Sequence, residues 1–516
     1  MPNPSTAILP TRAKIVATLG PGSDSADVLR KLIEAGVSVF RFNFSHGVLD
    51  AHKKRLSTLR AVATEMNATV AALGDLCGPK IRVGTVPRSF ASKSPTVHGG
   101  GAIELAAGQD VLLRADIAEA SVDADRTPIL PVGYAGMIRE VEPGHRVLIN
   151  DGAIRMLAVE RSESALRCRV TIGGPVTSGK GINLPDSEVS APAITEADWS
   201  CIAWAVDNSL DFLALSFVRR ADEVRALKRR LDDLRHPGSS PIPVVSKIEK
   251  PQAVADLDSI IEASDAVMVA RGDLGVEMDI AQVPVVQKKI LARCQYFGRP
   301  CIVATQMLES MIQAASPTRA EASDVANAIF DGADAVMLSG ETAVGKHPAL
   351  VVETMRRIIG AAESHIASAP HHDSPPQHLI ESRYPTAALA HGAWHIARDI
   401  GAKLIVCWSQ AGGTARYLSQ NDFDIPIVAY TSDPQAARRM ALLKGVTPIL
   451  RDPPPSGLLR DFTDIAERDM LSRNWVTQGQ PILLLAGKPL GAAKATNSIA
   501  TLYIGDPHGG FRSHKS

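Results

Sequence analysis

Eight short apolar runs, each followed by a segment of helical pattern, constrain this chain more than any other feature. They fall at residues 14–18, 37–42, 70–74, 211–216, 243–247, 266–270, 301–305 and 335–339. Runs of this length that are apolar throughout suit strands buried on both faces, as in parallel sheets. The stretches between them, such as residues 25–35, carry apolar residues at helical spacing and suit crossover helices. Eight parallel strands close a β/α barrel. An open doubly wound sheet is the competing architecture, since periodicity does not show closure. The count favours an α/β fold built on a (β/α)8 TIM barrel.

One connection is too long for a crossover helix. After Ile81-Arg82-Val83 the chain passes Gly100-Gly101, Pro143-Gly144, Asn150-Asp151-Gly152 and Gly173-Gly174-Pro175, with short alternating runs between these turn signals. That spacing reads as a small all-β domain. Placed beside the strand ends, such a domain would act as a lid that excludes water. Past residue 367, His371-His372-Asp373-Ser374-Pro375-Pro376 reads as a linker rather than a metal tract. Further strands at 404–408, 427–430, 447–450 and 481–486 then alternate with helices as a separate α/β domain. The expected organisation is barrel at 11–84, inserted β domain at 85–176 and barrel again at 177–367. A linker at 368–383, an α/β domain at 384–505 and a tail at 506–516 follow.

Composition narrows the function. Lysine plus arginine (55) equals aspartate plus glutamate (55), so neither a nucleic-acid stripe nor a polybasic membrane patch is expected. The six cysteines show no zinc spacing, and their placement suits reduced thiols. Neither a signal-peptide core nor a membrane-length apolar run is present, and the expected location is cytoplasmic.

Catalytic groups of parallel barrels stand just beyond the C-terminal ends of the strands. Here the fifth and sixth runs end abruptly in Lys247-Ile248-Glu249 and Arg271-Gly272-Asp273. Glu249 and Asp273 supply hard oxygen ligands that, with water and substrate oxygens, suit magnesium, or manganese in its place. Lys247 and Arg41 are cations for a phosphoryl group, one a point charge and the other a planar fork. Gly272 lets backbone approach a ligand, and Thr305 offers a hydroxyl for a proton relay. A salt-bridge cluster is the competing reading for either strand end alone; two together favour a site. Thr318-Arg319-Ala320-Glu321 reads as a capping box. Gln410-Ala411-Gly412-Gly413-Thr414 reads equally well as a phosphate cradle or a plain turn.

These residues, as ordered in the chain, closely resemble pyruvate kinases. The matching stretches include Arg41-Phe42-Asn43-Phe44-Ser45-His46-Gly47, Gly78-Pro79-Lys80-Ile81-Arg82, Ser246-Lys247-Ile248-Glu249, Met268–Gly275 and Ala304–Met311. The resemblance implies phosphoryl transfer from phosphoenolpyruvate to ADP, giving pyruvate and ATP. It implies that Lys247 stabilises the phosphoryl group and enolate, and that Arg41 grips the phosphate. Glu249 and Asp273 would bind the metal, Gly272 with its neighbours the carboxylate, and Thr305 would help protonate the enolate. Asn43, His46, Arg82 and Lys180 would line the nucleotide side. A homotetramer and a phosphorylated effector in the C-terminal domain are implied as well, the effector near the 409–414 loop or Lys488 and Lys494.

Two departures stand out. Many members hold potassium through an asparagine, a serine, an aspartate and the adjoining threonine, with a glutamate nearby. Asn43, Ser45 and Asp75 are retained, but Leu76 and Lys80 occupy the other two positions. Leucine offers no side-chain oxygen, and a lysine ammonium replaces a monovalent charge, so potassium-independent activity is expected. A magnesium-dependent barrel lyase or aldolase acting on pyruvate or phosphoenolpyruvate is the alternative enzyme. A metabolite sensor with an inactive barrel is the non-enzymatic one. Arg82 and Lys180 argue against the lyase, and the complete Lys247/Glu249/Asp273/Thr305 set argues against the sensor.

Overall fold

The computed structural model describes residues 11–90, 101–368 and 376–512. Eight parallel strands close a barrel: β1 (Lys14–Thr18), β2 (Val37–Asn43), β3 (Ala71–Asp75), β4 (Phe212–Leu215), β5 (Val244–Ile248), β6 (Ala266–Ala270), β7 (Cys301–Ala304) and β8 (Ala335–Leu338). Each strand pairs with its sequence neighbours and β8 returns to β1. The eight expected runs are these strands, with ends differing by a residue or two.

Successive side chains on a strand face opposite ways, and the sequence sorts them accordingly. Val16, Val39, Leu73, Ala214, Val245 and Met268 share the cluster inside the barrel. Ile15, Ala17, Phe40, Leu213, Val244 and Val267 pack outward with helix residues such as Leu29 and Leu227. The inward parity carries on past the apolar layers: 39 leads to Arg41, 73 to Asp75, 214 to Ser216, and 245 to Lys247 and Glu249. The strand period itself therefore gathers the polar groups at one mouth.

The other mouth is closed by the C-terminal domain. Ala441 and Leu442 are buried in the barrel's inner cluster. Lys14 Nζ donates to the Val446 carbonyl at 2.7 Å. Asp211 accepts from Arg60 at 2.7 Å and from Arg438 at 2.8 Å.

Between β3 and β4 the chain builds a seven-stranded sheet with Ile154–Arg161 and Ala165–Ile172 at its centre. Ile154, Met156 and Ala158 are buried and alternate with exposed residues, as a sheet covered on one face requires. Its last strand, Ile182–Asn183, pairs with Arg146–Ile149, so this sheet draws on residues beyond 176. Residues 91–100 of the insertion lie outside the described residues. The two chain segments joining insertion and barrel are bonded to each other: Val83 N–H donates to the Lys180 carbonyl, and Ile182 N–H to the Ile81 carbonyl, both at 2.8 Å.

The C-terminal sheet has the order Val446–Leu450, Ile427–Thr431, Leu404–Trp408, Pro481–Gly487 and Thr496–Tyr503. The first four are the expected parallel strands. The fifth is an antiparallel edge that the sequence pattern did not suggest. Of the expected linker, residues 369–375, with His371 and His372, lie outside the described residues, and Gln377–Glu381 is a short helix. Residues 513–516 of the expected tail are likewise outside. Among the described residues no helix is long and apolar enough to cross a membrane.

Candidate active site

The barrel's C-terminal mouth opens into a cleft of about 570 Å³. Arg41, Asn43, Ser45, His46, Asp75, Lys80, Arg82, Lys180, Lys247, Glu249 and Asp273 all line it, so ten of the expected site residues and Lys80 stand together.

Its centre is a chain of buried charges. Arg41 Nε donates to Asp75 Oδ2 at 2.7 Å, and its Nη1 to the Thr18 hydroxyl at 3.0 Å. Asp75 is 1% exposed, and its Oδ1 lies 3.3 Å from Lys247 Nζ. Burial alone would raise the Asp75 carboxyl, but Lys247 and Arg41 together hold it below its ordinary value. Burial alone would lower the Lys247 ammonium, yet Asp75 and Glu249 keep it above the usual lysine value. Lys247 therefore stands charged where an anionic ligand meets it, in a water-poor setting that strengthens the contact.

Lys247 Nζ has three neighbours: the Ser216 hydroxyl at 2.8 Å, Glu249 Oε1 at 2.9 Å and Asp75 Oδ1. The Ser216 hydroxyl in turn donates to the Leu76 carbonyl at 2.7 Å. Ser216 ends the fourth apolar run among the polar groups of this mouth but is not one of the expected site residues; its inward parity is the signal that it belongs to the site.

The two carboxylates suit a divalent cation. Glu249 is fully buried; its Oε2 accepts the Phe217 N–H at 2.6 Å. Its Oε1 lies 2.9 Å from the Lys247 ammonium, a charge contact, and has no well-aligned hydrogen-bond partner. Burial, and with it the negative charge of Asp273, raises the Glu249 carboxyl despite Lys247. A cation held between the two carboxylates would relieve that repulsion and use the orphaned oxygen. Among the described residues no cluster of three or more Asp, Glu, His or Cys forms a metal cage. Magnesium commonly takes one or two carboxylates plus substrate oxygens and water.

Gly272 and Thr305, which follow β6 and β7, are not among the residues lining the cleft, although Gly272 directly precedes Asp273, which does line it. A helical segment begins at Arg271 (Arg271–Glu277), and Gly272 N–H donates to the Thr305 hydroxyl at 2.7 Å. That hydroxyl donates to the Ala304 carbonyl at 2.6 Å. Thr305 has φ +72° and Gln306 +55°, a left-handed pair costly for a β-branched residue. Arg271 Nη2 braces it through the Thr305 carbonyl at 2.8 Å.

On the opposite wall, Asn43 Oδ1 accepts the Ser45 N–H at 3.1 Å, and Arg82 Nη1 donates to the Gly179 carbonyl at 2.9 Å. Lys80 Nζ lies 3.8 Å from Asp273 and 3.9 Å from Asp151, a residue on a turn of the inserted domain. Leu76 is buried. Away from the cleft, the polar groups of the 409–414 loop are engaged internally. Ser409 Oγ accepts the Ala415 N–H at 3.1 Å, Gln410 Nε2 donates to Ser432 Oγ at 2.8 Å, and Thr414 Oγ1 meets Thr496 Oγ1 at 2.7 Å.

A closed barrel with cations and carboxylates converging at its strand ends, faced by an inserted domain, defines a barrel enzyme for small anionic substrates with a place for a divalent cation. The family pattern described as pyruvate kinase, barrel domain, matches residues 10–352, and that described as pyruvate kinase, alpha/beta domain, matches 387–501. The chain belongs to the pyruvate kinase family and is a phosphotransferase. It is 38% identical over 497 residues to a pyruvate kinase of Mycobacterium tuberculosis, covering 96% of this chain and 99% of the relative. A pyruvate kinase of Corynebacterium glutamicum is 37% identical over 495 residues, covering 96% and 98%. The crystal structure of a pyruvate kinase from Cryptosporidium parvum superposes with a TM-score of 0.84 at 31% identity, covering 96% of each chain.

Proposed function

We propose that this cleft transfers the phosphoryl group of phosphoenolpyruvate to ADP without needing potassium. The observation that carries the reading is the pairing of Arg41 and Lys247 across Asp75, beside the Glu249 and Asp273 carboxylates in one cleft.

Phosphoryl transfer depends chiefly on positioning and charge stabilisation. Arg41 grips the phosphoryl oxygens, with its free guanidinium edge left over from Asp75 and Thr18. Lys247 meets the same group from the barrel axis. As the P–O bond to the enol oxygen breaks and a bond to the ADP β-phosphate oxygen forms, Lys247 also steadies the negative charge left on the enolate. Glu249 and Asp273 would hold magnesium, or manganese, which supplies a polarising contact to substrate oxygens. Thr305 delivers a proton to the enolate carbon through water, and the Gly272 N–H it now occupies becomes available to the substrate carboxylate when its hydroxyl turns away. Asn43, His46, Arg82 and Lys180 receive the nucleotide.

Lys80 stands where the cleft needs a fixed positive charge, close to Asp273, while Leu76 gives no side-chain oxygen to a monovalent ion. That supports catalysis without potassium. The family resemblance further supports a homotetramer and a regulatory ligand in the C-terminal domain. The test is pyruvate formation from phosphoenolpyruvate, with and without ADP and magnesium, in potassium-free buffer. Turnover that needs ADP and is unchanged by potassium is the expected result. A severalfold rise with potassium over tetramethylammonium at equal ionic strength would sink the potassium reading. Turnover that ignores ADP would replace the kinase with a lyase.

A further inference from the structure

His52 takes no part in the chemistry above, yet it is placed with unusual definition. It lies in the first turns of the helix Leu49–Glu65, which follows the loop leaving β2. Its residue is 2% exposed, and it is absent from the cleft wall that His46 joins. Three aromatic rings box it: Phe44 at 5.4 Å and 89°, Phe42 at 6.1 Å and 69°, and Trp204 at 6.4 Å and 64°. Inside this box Nε2 lies 2.9 Å from the His46 carbonyl. A carbonyl only accepts, so Nε2 carries the hydrogen, and the buried Nδ1 is left with no partner. The ring spends its one hydrogen bond on the loop.

That loop is held at its start, where Phe44 is buried, and more sparsely from Ser45 onward. Val48, at the helix start, provides no side-chain cap. Phe44 N–H donates to the Asp75 carbonyl at 3.0 Å and ties the start of the loop to β3; beyond it, Ser45 N–H bonds to Asn43 Oδ1 and His46 N–H to the Asn43 carbonyl, both back onto the end of β2. Gly47 packs directly above the ring: at φ +85° a Cβ there would sit 3.6 Å from Nε2. A side chain wedged among aromatics thus anchors the segment that presents His46 just beyond Asn43 at the end of β2.

We propose that His52 is a positioning residue for the nucleoside diphosphate: by holding the His46 carbonyl it fixes the 43–48 loop against the cleft. This rests on reading Asn43 and His46 as the nucleotide side. His52→Phe keeps the aromatic packing and removes the bond; His52→Gln carries an N–H at the reach of Nε2, and His52→Asn does not reach. Steady-state kinetics should show KM for ADP raised about three- to tenfold in His52→Phe, the worth of one neutral hydrogen bond. KM for phosphoenolpyruvate and kcat should stay within about twofold, and His52→Gln should recover KM for ADP. His46→Ala is the control for the underlying reading. If it raises KM for ADP while His52→Phe does not, the positioning role is wrong. The role is equally wrong if His52→Phe lowers kcat and melting temperature together with no ADP-specific change. If neither His46→Ala nor Asn43→Ala alters KM for ADP, the nucleotide assignment itself falls, and the role of His52 with it. Should His52→Phe not fold, the Gln and Asn variants decide: equal KM values for ADP refute the proposal.

Discussion

Ser216→Ala tests how the cleft holds its central cation. The hydroxyl is one of three neighbours of Lys247 Nζ, the other two being carboxylates that pull it towards Asp75 and Glu249. A hydrogen bond to a charged group is worth about 1.5–3 kcal/mol. If that energy serves to aim the ammonium in the transition state, kcat falls roughly 10- to 150-fold. The ammonium keeps its charge, because both carboxylates remain. KM for ADP should hold, since Asn43, His46, Arg82 and Lys180 are untouched. The variant also strips the Leu76 carbonyl of its partner. An unpaired buried carbonyl costs about 1–3 kcal/mol, and melting falls by about 2–4 °C per kcal/mol for a domain of this size. The assay is steady-state kinetics in both substrates, with a thermal melt of the same sample. A kcat within twofold of the parent would refute the reasoning. So would a loss confined to KM for ADP.

Lys80→Gln removes a half-buried charge 3.8 Å from Asp273. At that distance and in a solvent-rich setting the interaction is about 1 kcal/mol, so potassium-free turnover should fall about tenfold or less. Added potassium should restore part of it; no response to potassium would mean the ammonium does not stand in for a monovalent cation. Far from the cleft, burial raises the Asp334 carboxyl to about 6, against the opposing pull of Lys444. Between its unfolded value near 3.8 and about 6, the folded protein keeps a proton that the unfolded chain has lost. Stability therefore declines as pH rises through that window, by an order-of-magnitude 3 kcal/mol fully felt above it. Asp334→Asn should melt higher than the parent at about pH 7.5 and converge with it near pH 4; a gap that does not change with pH would refute the assignment.

The barrel was legible because its strands are buried on both sides and so read as unbroken apolar runs. Much of the cleft was legible too, because Lys247, Glu249 and Asp273 interrupt those runs at the end where parallel barrels do their chemistry. Asp75 was expected only at a monovalent-cation site; it and Ser216 share the inward parity of Lys247, so a count in twos along each strand would have joined both to that lysine. The edge strand Thr496–Tyr503 escaped because its residues are mostly half-buried or exposed and its apolar residues fall in adjacent pairs rather than in alternation. Lys80 approaching Asp151 could not be read at all, since it depends on how the insertion leans over the barrel. Nor could the bond from His52 to a carbonyl six residues away, for a lone histidine on a helix is usually only packing.

The paired segments at the root of the insertion give the cleft a mechanical property. Arg82 and Lys180 sit on two chain segments that are laced to each other through Val83 and Ile182. Neither cation can follow a phosphate alone; a tug on one is a tug on both, and on the domain they carry. If the two cations receive the nucleotide as proposed, its pull reaches the inserted domain through that shared root, and binding and domain orientation are one event.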